Sequence, residues 1–262
     1  MIKSIGRPIR PILNLIRALP YSTTRWNPKK DKLIIVTGAD SSHFKSLRQF
    51  LSGVMKHESG THVIAYDLGL TELQGAEIQK TYPSVELRLF DFSLYPAFFN
   101  IKIHTGEYAW KPVIICDVLQ EFKCYVCWMD AGNVITASLT WIRKFVKKTG
   151  LYSPYSAGRV SDWTHPGTLK FLGASKDLLK KRNLSGACVA VSYRHEKARK
   201  LVNKWKECAL IRDCIAPAGS SRENHRQDQS VLSVLAHQSG IVKVMPSAMY
   251  GFKTHQDIRD RL

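Results

Sequence analysis

Acidic residues are scarce in this 262-residue chain: 21 Asp and Glu stand against 39 Lys and Arg, a formal balance of +18. A surface so short of negative charge draws in polyanions, anionic lipid or phosphorylated small molecules, and says nothing about fold. Long apolar runs are missing as well. No stretch approaches the ~20 residues that cross a bilayer as a helix, so no transmembrane segment is expected. The expectation is a cytoplasmic chain, at most peripheral at a membrane surface.

Several signatures are also absent. "VTGADSSHF" follows a strand-like run as a dinucleotide fingerprint would, but it has one glycine where that fingerprint uses three. No GKS or GKT marks a P-loop, and no GxSxG marks a nucleophile elbow. Six cysteines are scattered, at 116, 124, 127, 188, 208 and 214. Cys124 and Cys127 form a CxxC, yet no second CxxC or His pair completes a tetrahedral zinc site. In a strand, residues three apart point to opposite faces. Buried free thiols in a reducing compartment are therefore expected. The positive charge is dispersed outside the first thirty residues and the clusters at 143–148 and 180–182. No basic stripe with interleaved aromatics is visible, so no nucleic-acid partner is expected.

What is present divides at about residue 30. Residues 1–30 carry seven positive charges and no acid. Ile5, Ile9, Ile12, Ile16 and Leu19 make a helical stripe, although Pro8 and Pro11 argue against an unbroken helix. Three readings stay open: an interfacial helix on an anionic membrane, a helix or tail lying on the domain, and a targeting presequence.

From Asp31 onward, β-branched runs alternate with helical patterns. "KLIIVTGAD", "THVIAYDLGL", "VELRLFDF" and "CYVCWMD" read as strands, while "FKSLRQFLSGVMKH", "ELQGAEIQKTYP" and "KPVIICDVLQEF" read as helices. Near-continuous apolar strands in this alternation predict one α/β domain, 31–262, with a mostly parallel central sheet covered by helices on both faces. Residues 151–182, rich in Gly, Pro, Ser and aromatics, read as a long functional loop. Beyond them come the strand "ACVAVSY", the helix "HEKARKLVNKWKECALI", the helix "DQSVLSVLAHQSG" with Asp228 in a capping position, and a late strand "IVKVMP". Ligands of such sheets bind at the carboxyl ends of strands. Thr37–Ser41, Asp67–Gly69 and Asp130–Asn133 occupy that edge.

The ordered set "VTGADSSH", "YDLG", "GEYAWKP", "WMDAGN", "LSGACVAVSY…LVNKWKE", "HRQDQSVLSVL" and "GFKTH" resembles the glycosyltransferases of the GT-A fold, in the style of glycogenin and the lipopolysaccharide galactosyltransferases. The resemblance covers about residues 31–256. It implies transfer of a sugar from a nucleotide-diphosphate donor to a glycan or lipid-linked acceptor, assisted by Mn²⁺ or Mg²⁺. The family's Asp-x-Asp becomes Asp130-Ala131-Gly132 here. The second acid is missing, so the metal site is one-armed or completed from elsewhere, and His255 matches a histidine that returns to the metal.

By the same resemblance Thr37, Gly38, Ala39 and Asp40 cradle base and ribose, Asp67 caps that pocket, and Lys111 contacts phosphate. Ser185 and Gly186 lie near the donor sugar. Asp228, beside Gln229, either deprotonates the acceptor hydroxyl or stabilises charge on the sugar. Arg222, His225 and Arg226 add positive charge for phosphate, or form a solvated loop. Arg159, Asp162, Trp163 and His165 are acceptor candidates, with Tyr152 and Tyr155 as further stacking faces. The rival reading keeps the fold and discards the activity, leaving a binding module.

Overall fold

Leu33–Ala39 (β1) is buried along its whole length, so neither face of this strand meets solvent. A strand buried on both sides has to sit inside a sheet with layers above and below it. The computed structural model describes Ile16, residues 19–243 and residues 251–258. In it β1 pairs in parallel with β2 (His62–Asp67) and β4 (Tyr125–Met129), and β2 pairs in parallel with β3 (Val85–Leu89). β9 (Cys188–Ser192) runs antiparallel to β4, and β6 (Leu151–Tyr152) antiparallel to β9. The order β3-β2-β1-β4-β9-β6 makes a six-stranded, mostly parallel sheet, as the alternation predicted. β4 and β9 are as buried as β1, whereas the edge strand β3 is only partly covered.

The helices cover this sheet with apolar stripes. In α1 (Phe44–His57), Phe44, Leu47, Phe50, Leu51 and Val54 are buried at spacings of three, three, one and three. α2 (Glu72–Thr81) begins with a capping box between Thr71 and Gln74. α3 (Trp110–Phe122) buries its first seven residues and stops where Lys123 adopts a left-handed conformation. α4 (Thr140–Thr149), α5 (Glu196–Ala209) and α6 (Gln227–Gln238) complete the long helices.

Four expectations need correction or delimitation. Residues 151–182 are not a structureless loop: they hold β6, the antiparallel pair β7 (Tyr155–Arg159) and β8 (Arg182–Leu184), and three short helices, Val160–Trp163, Pro166–Phe171 and Lys176–Leu179. Their Pro and Gly residues punctuate short elements instead of replacing them; Pro166, for example, opens its helix in the first turn. The late strand "IVKVMP" is not formed at residues 241–243, and the remainder lies outside the described residues. The short pair β5 (Val134–Ile135) and β10 (Phe252–Lys253) forms instead.

Cysteine pairing is the third. Cys208 and Cys214 are joined in a disulfide that ties the end of α5 to the short helix Arg212–Ile215, so these two are not free. The six-residue separation and a 5.3 Å Cα–Cα distance suit the bond. Cys116, Cys124, Cys127 and Cys188 are free thiols, all but Cys124 fully buried.

Of the N-terminal stripe, Ile5, Ile9 and Ile12 lie outside the described residues, and Ile16 and Leu19 are exposed. Residues 20–26 lie on α4. The Tyr21 ring lies tilted against Phe145 with centroids 4.3 Å apart, and Lys148, Lys144 and Lys147 donate to the carbonyls of Pro20, Ser22 and Arg25.

Candidate active site

β4 ends at Met129, and the next residue turns its carboxylate out of the sheet edge. Asp130 Oδ1 accepts from Trp128 Nε1 at 2.7 Å and stands 2.9 Å from the ammonium of Lys111, which comes from the first turn of α3. The same ammonium lies 3.2 Å from Asp228 Oδ2 and donates to the Gly186 carbonyl at 3.3 Å. The Lys111 and Asp228 side chains are 4% and 5% exposed, while that of Asp130 is 35% exposed. One buried cation therefore links an enclosed carboxylate to one that opens on the cleft.

The electrostatics follow. Burial alone lowers the pKa of an ammonium, but the carboxylates of Asp130 and Asp228 outweigh it and raise Lys111 above its ordinary value. Burial raises Asp228, and the Asp130 charge adds to that; Lys111 opposes both. The rings of Tyr108, Trp110 and Trp128 stand 5.6–5.8 Å from the ammonium, an arrangement that favours its charged form. Asp228 is the second residue of α6 and not its cap: Arg226 holds the N-cap position, and the Asp228 side chain turns inward. A Cβ on Gly186 would fall 2.8 Å from Asp228 Oδ2, so only glycine admits this approach.

The tail supplies what the strand end lacks. Gly251 accepts from the amides of Thr136 and Ala137, Gln256 donates its amide to the Gly132 carbonyl at 2.7 Å, and Ile258 donates to Ser46 Oγ. These bonds lay residues 251–258 over the β4–β5 turn and bring His255, in a left-handed conformation (φ 56), and Asp257 into the cleft. A Cβ on Gly132 would fall 2.5 Å from Asp257 Cγ. The space that a side chain at 132 would claim is thus filled by the carboxylate of Asp257. Composition and motif order gave no sign of Asp257, because the compensation is spatial and 125 residues away in sequence.

On the β1 side, Asp40 accepts from Ser42 Oγ and from the His43 ring. Burial raises its pKa, but the bonds from His43 and Ser42 prevail and hold it at about 2. The bond to Asp40 in turn raises His43, with the charges of Asp257 and Asp130 adding to the effect. The remaining wall is unusual. His104–Tyr108 makes a turn with every φ between 47 and 60°, left-handed throughout. Gly106 is required there, since a Cβ would run into the Phe99 carbonyl. Such a run costs about 1–2 kcal/mol per non-glycine residue, and here it directs Thr105 and Tyr108 into the cleft.

The resulting cavity, about 450 Å³, gathers Gly38, Ala39, Asp40, Lys111, Asp130, Gly132, Trp163, Gly186, Asp228, Gln229 and His255 from the candidate residues. Arg222 and Arg226, read as positive charge for phosphate or a solvated loop, line it too, and it adds His43, Tyr108 and Asp257. The other candidates stand outside its lining. Thr37 is buried within β1, and Asp67 closes a turn by accepting from the amides of Gly69 and Leu70. Ser185 accepts from the amide of Ala187, and Asp162 accepts from the amide of Arg159 on the exposed β7. His165 caps the helix Pro166–Phe171. Among the described residues, no three His, Cys, Asp or Glu side chains stand in a ready-made metal cluster.

His225, read as a source of positive charge for phosphate, is instead a neutral structural residue. It is fully buried, its Nε2 donates to the Ile215 carbonyl, and its Nδ1 accepts from the His165 amide. Burial depresses its pKa to about 4. The unfolded chain takes up this proton near pH 6.5 and the folded chain only near 4, so stability is intact above pH 6.5 and falls as pH drops through that window. Urea unfolding between pH 7 and 4.5 should show the loss, roughly 3 kcal/mol at its limit. Unchanged stability over that range would place the imidazole elsewhere.

Residues 13–116 match a family described as a protein of unknown function (DUF1647), and no curated protein sequence matches the chain. Solved structures match more fully. Core-mannan synthase A from Aspergillus fumigatus, in its Mn/GDP form, aligns with a TM-score of 0.54 at 9% identity, over 82% of this chain and 72% of its own. An active-site mutant of LgtC gives 0.51 at 15% identity, over 77% and 69%. Mouse xyloside xylosyltransferase 1 gives 0.50 at 7% identity, over 82% and 84%. Against WbbM, a longer bifunctional glycosyltransferase, the chain spans 38% of the other's length. The fold is that of the GT-A glycosyltransferases. In the terms of that fold, the acid network occupies the carboxyl edge of the parallel strands, where such sheets hold their ligands.

Proposed function

We propose that this GT-A protein is a glycosyltransferase that moves a sugar from a nucleotide-diphosphate donor to a glycan or lipid-linked acceptor with the help of Mn²⁺ or Mg²⁺. The observation that carries the reading is the carboxylate of Asp257 standing over Gly132, in a cleft of the right fold that Asp130 and His255 also line. Hard oxygen donors with one imidazole suit either cation. Asp130, Asp257 and His255 are the residues that would hold it, and a bound cation supplies Lewis-acid stabilisation of the departing diphosphate.

The chain's own groups have separate tasks in this reading. Gly38, Ala39 and Asp40 take the nucleoside at the end of β1. Lys111 pairs with Asp130 and Asp228 and orients both side chains. Asp228 and Gln229 face the transferred sugar, and Gly186 leaves room for it. The domain is proposed to span residues 31–262, with the basic first thirty residues favouring an anionic membrane surface.

A thermal-shift series with UDP- and GDP-sugars, with and without Mn²⁺, tests the proposal. A ligand at a hundredfold its Kd adds about 2.7 kcal/mol, which for a domain of this size raises the midpoint by about 5 °C or more. The rise should require Mn²⁺. No shift with any nucleotide, metal present or absent, would remove the reading.

A further inference from the structure

Two guanidinium groups that line the cleft have no acidic partner among the described residues. Arg222 lies over the Tyr108 ring at 5.0 Å and donates to Gln227 Oε1, and Arg226 lies over the Trp163 ring at 4.0 Å. Neither makes an ion pair among the described residues, whereas Lys111 in the same cleft makes two. Glu107, in the turn that carries Tyr108, accepts from Gln227. Two like charges side by side repel, and the two arginines are held there by aromatic faces and by the backbone: the Arg226 amide is fixed by the Trp163 carbonyl and Ser230 Oγ. Burial and the Arg222 charge both lower the pKa of Arg226, which is the sign of a cation without a counter-ion.

Position narrows the ligand. The cleft runs along the sheet edge from Asp40, just after β1, past Asp130, just after β4, to the turn before β9 at Gly186. Arg222 and Arg226 precede α6 and Asp228, and Arg226 lies on Trp163 of the segment 151–182. On the reading proposed above, on which this inference rests, the nucleoside takes the end of β1, and Trp163, the acceptor candidate that lines the cleft, is the ring on which Arg226 lies. Planar guanidinium forks match carboxylate, sulfate and phosphate oxygens in pairs, and the Trp163 and Tyr108 rings offer faces against which sugars stack. We infer that Arg222 and Arg226 recognise an anionic group on the acceptor, so that the acceptor is an acidic glycan: a uronate-containing, sulfated or phosphorylated saccharide.

The full chain is titrated at about physiological salt with short uronate-containing and sulfated oligosaccharides, and with their carboxyl-reduced and desulfated counterparts. Expected is a preference of about tenfold or more for the acidic form. R222Q/R226Q should abolish it and leave UDP and GDP binding unchanged, while K180Q/K181Q, which removes the same charge from an exposed site, should keep it. Equal binding of acidic and neutral saccharides by the wild type overturns the inference. So does a preference that survives R222Q/R226Q, or one lost equally in K180Q/K181Q, since either makes it a general attraction of a basic surface. Loss of UDP or GDP binding in R222Q/R226Q with the saccharide preference intact would assign the pair to the diphosphate. Discrimination confined to uronate over neutral nucleotide-sugars would assign the anion to the donor; both outcomes reject the acceptor. Failure of the wild type to bind any nucleotide would retire the proposed transferase while leaving the saccharide preference readable.

Discussion

Lys111→Met should lose about 3–5 kcal/mol of stability, the usual result of deleting one partner of a buried ion pair. The ammonium is enclosed between Asp130 and Asp228, and Asp228 has almost no exposure with which to recover hydration. Burial already raises Asp228 in the intact chain, and without the opposing charge of Lys111 its carboxyl takes up a proton at still higher pH. A raised acid binds more protons folded than unfolded, and its contribution is lost as pH rises through its folded pKa. The deficit of Lys111→Met should therefore be larger at pH 8 than at pH 5. Adding Asp228→Asn, which keeps the shape and removes the charge, should recover part of it. Donor-dependent turnover should fall about 10²–10³-fold, as when a preorganised polar group is removed from an active site. Urea unfolding at the two pH values decides the matter: a variant within about 0.5 kcal/mol of wild type at both would mean that the cation is not confined between the acids.

The parts of this site that could be read in the sequence are those whose chemistry is local. Leu33–Ala39 and Tyr125–Met129 are apolar runs ending in turn residues, and such runs have few alternatives to buried parallel strands. Asp130, Lys111 and Asp228 sit on elements whose periodicity was plain, so their meeting at one edge follows from topology. Short elements were harder to see. The helices within 160–179 are four to six residues long, below the length at which a 3.6-residue period can be recognised. Asp228 reads as a cap because it opens an apolar helical pattern, and only the packing of α6 against Lys111 distinguishes a cap from a buried acid. Cys208 and Cys214 look like isolated thiols until the turn after α5 folds one toward the other. The left-handed turn at 104–108 has no composition of its own, since four of its five residues are not glycine.

Asp257→Ala should weaken Mn²⁺ binding by more than about tenfold, at least what loss of an outer-shell partner costs such sites, while leaving the fold intact, because residue 257 is exposed and makes no bond on which the core depends. Gly132 provides the complementary test. Gly132→Asp restores the acid that the sequence pattern lacks, yet its Cβ would collide with the carboxylate of Asp257. Alone it should displace the tail, loosening the bond from the Gln256 amide to the Gly132 carbonyl, and bind Mn²⁺ no better than wild type. Combined with Asp257→Gly, the clash disappears and the second carboxylate arrives from the strand end instead of the tail. The double variant should then recover affinity that Asp257→Gly alone lacks. This coupling between residues 125 positions apart is what contact through one shared volume predicts. Free Mn²⁺ measured by electron paramagnetic resonance in the presence of UDP reports affinity without any need for turnover. If Asp257→Ala binds Mn²⁺ as tightly as wild type while Asp130→Ala does not, the tail carboxylate is a steric filler over Gly132 and the second ligand must come from elsewhere in the cleft.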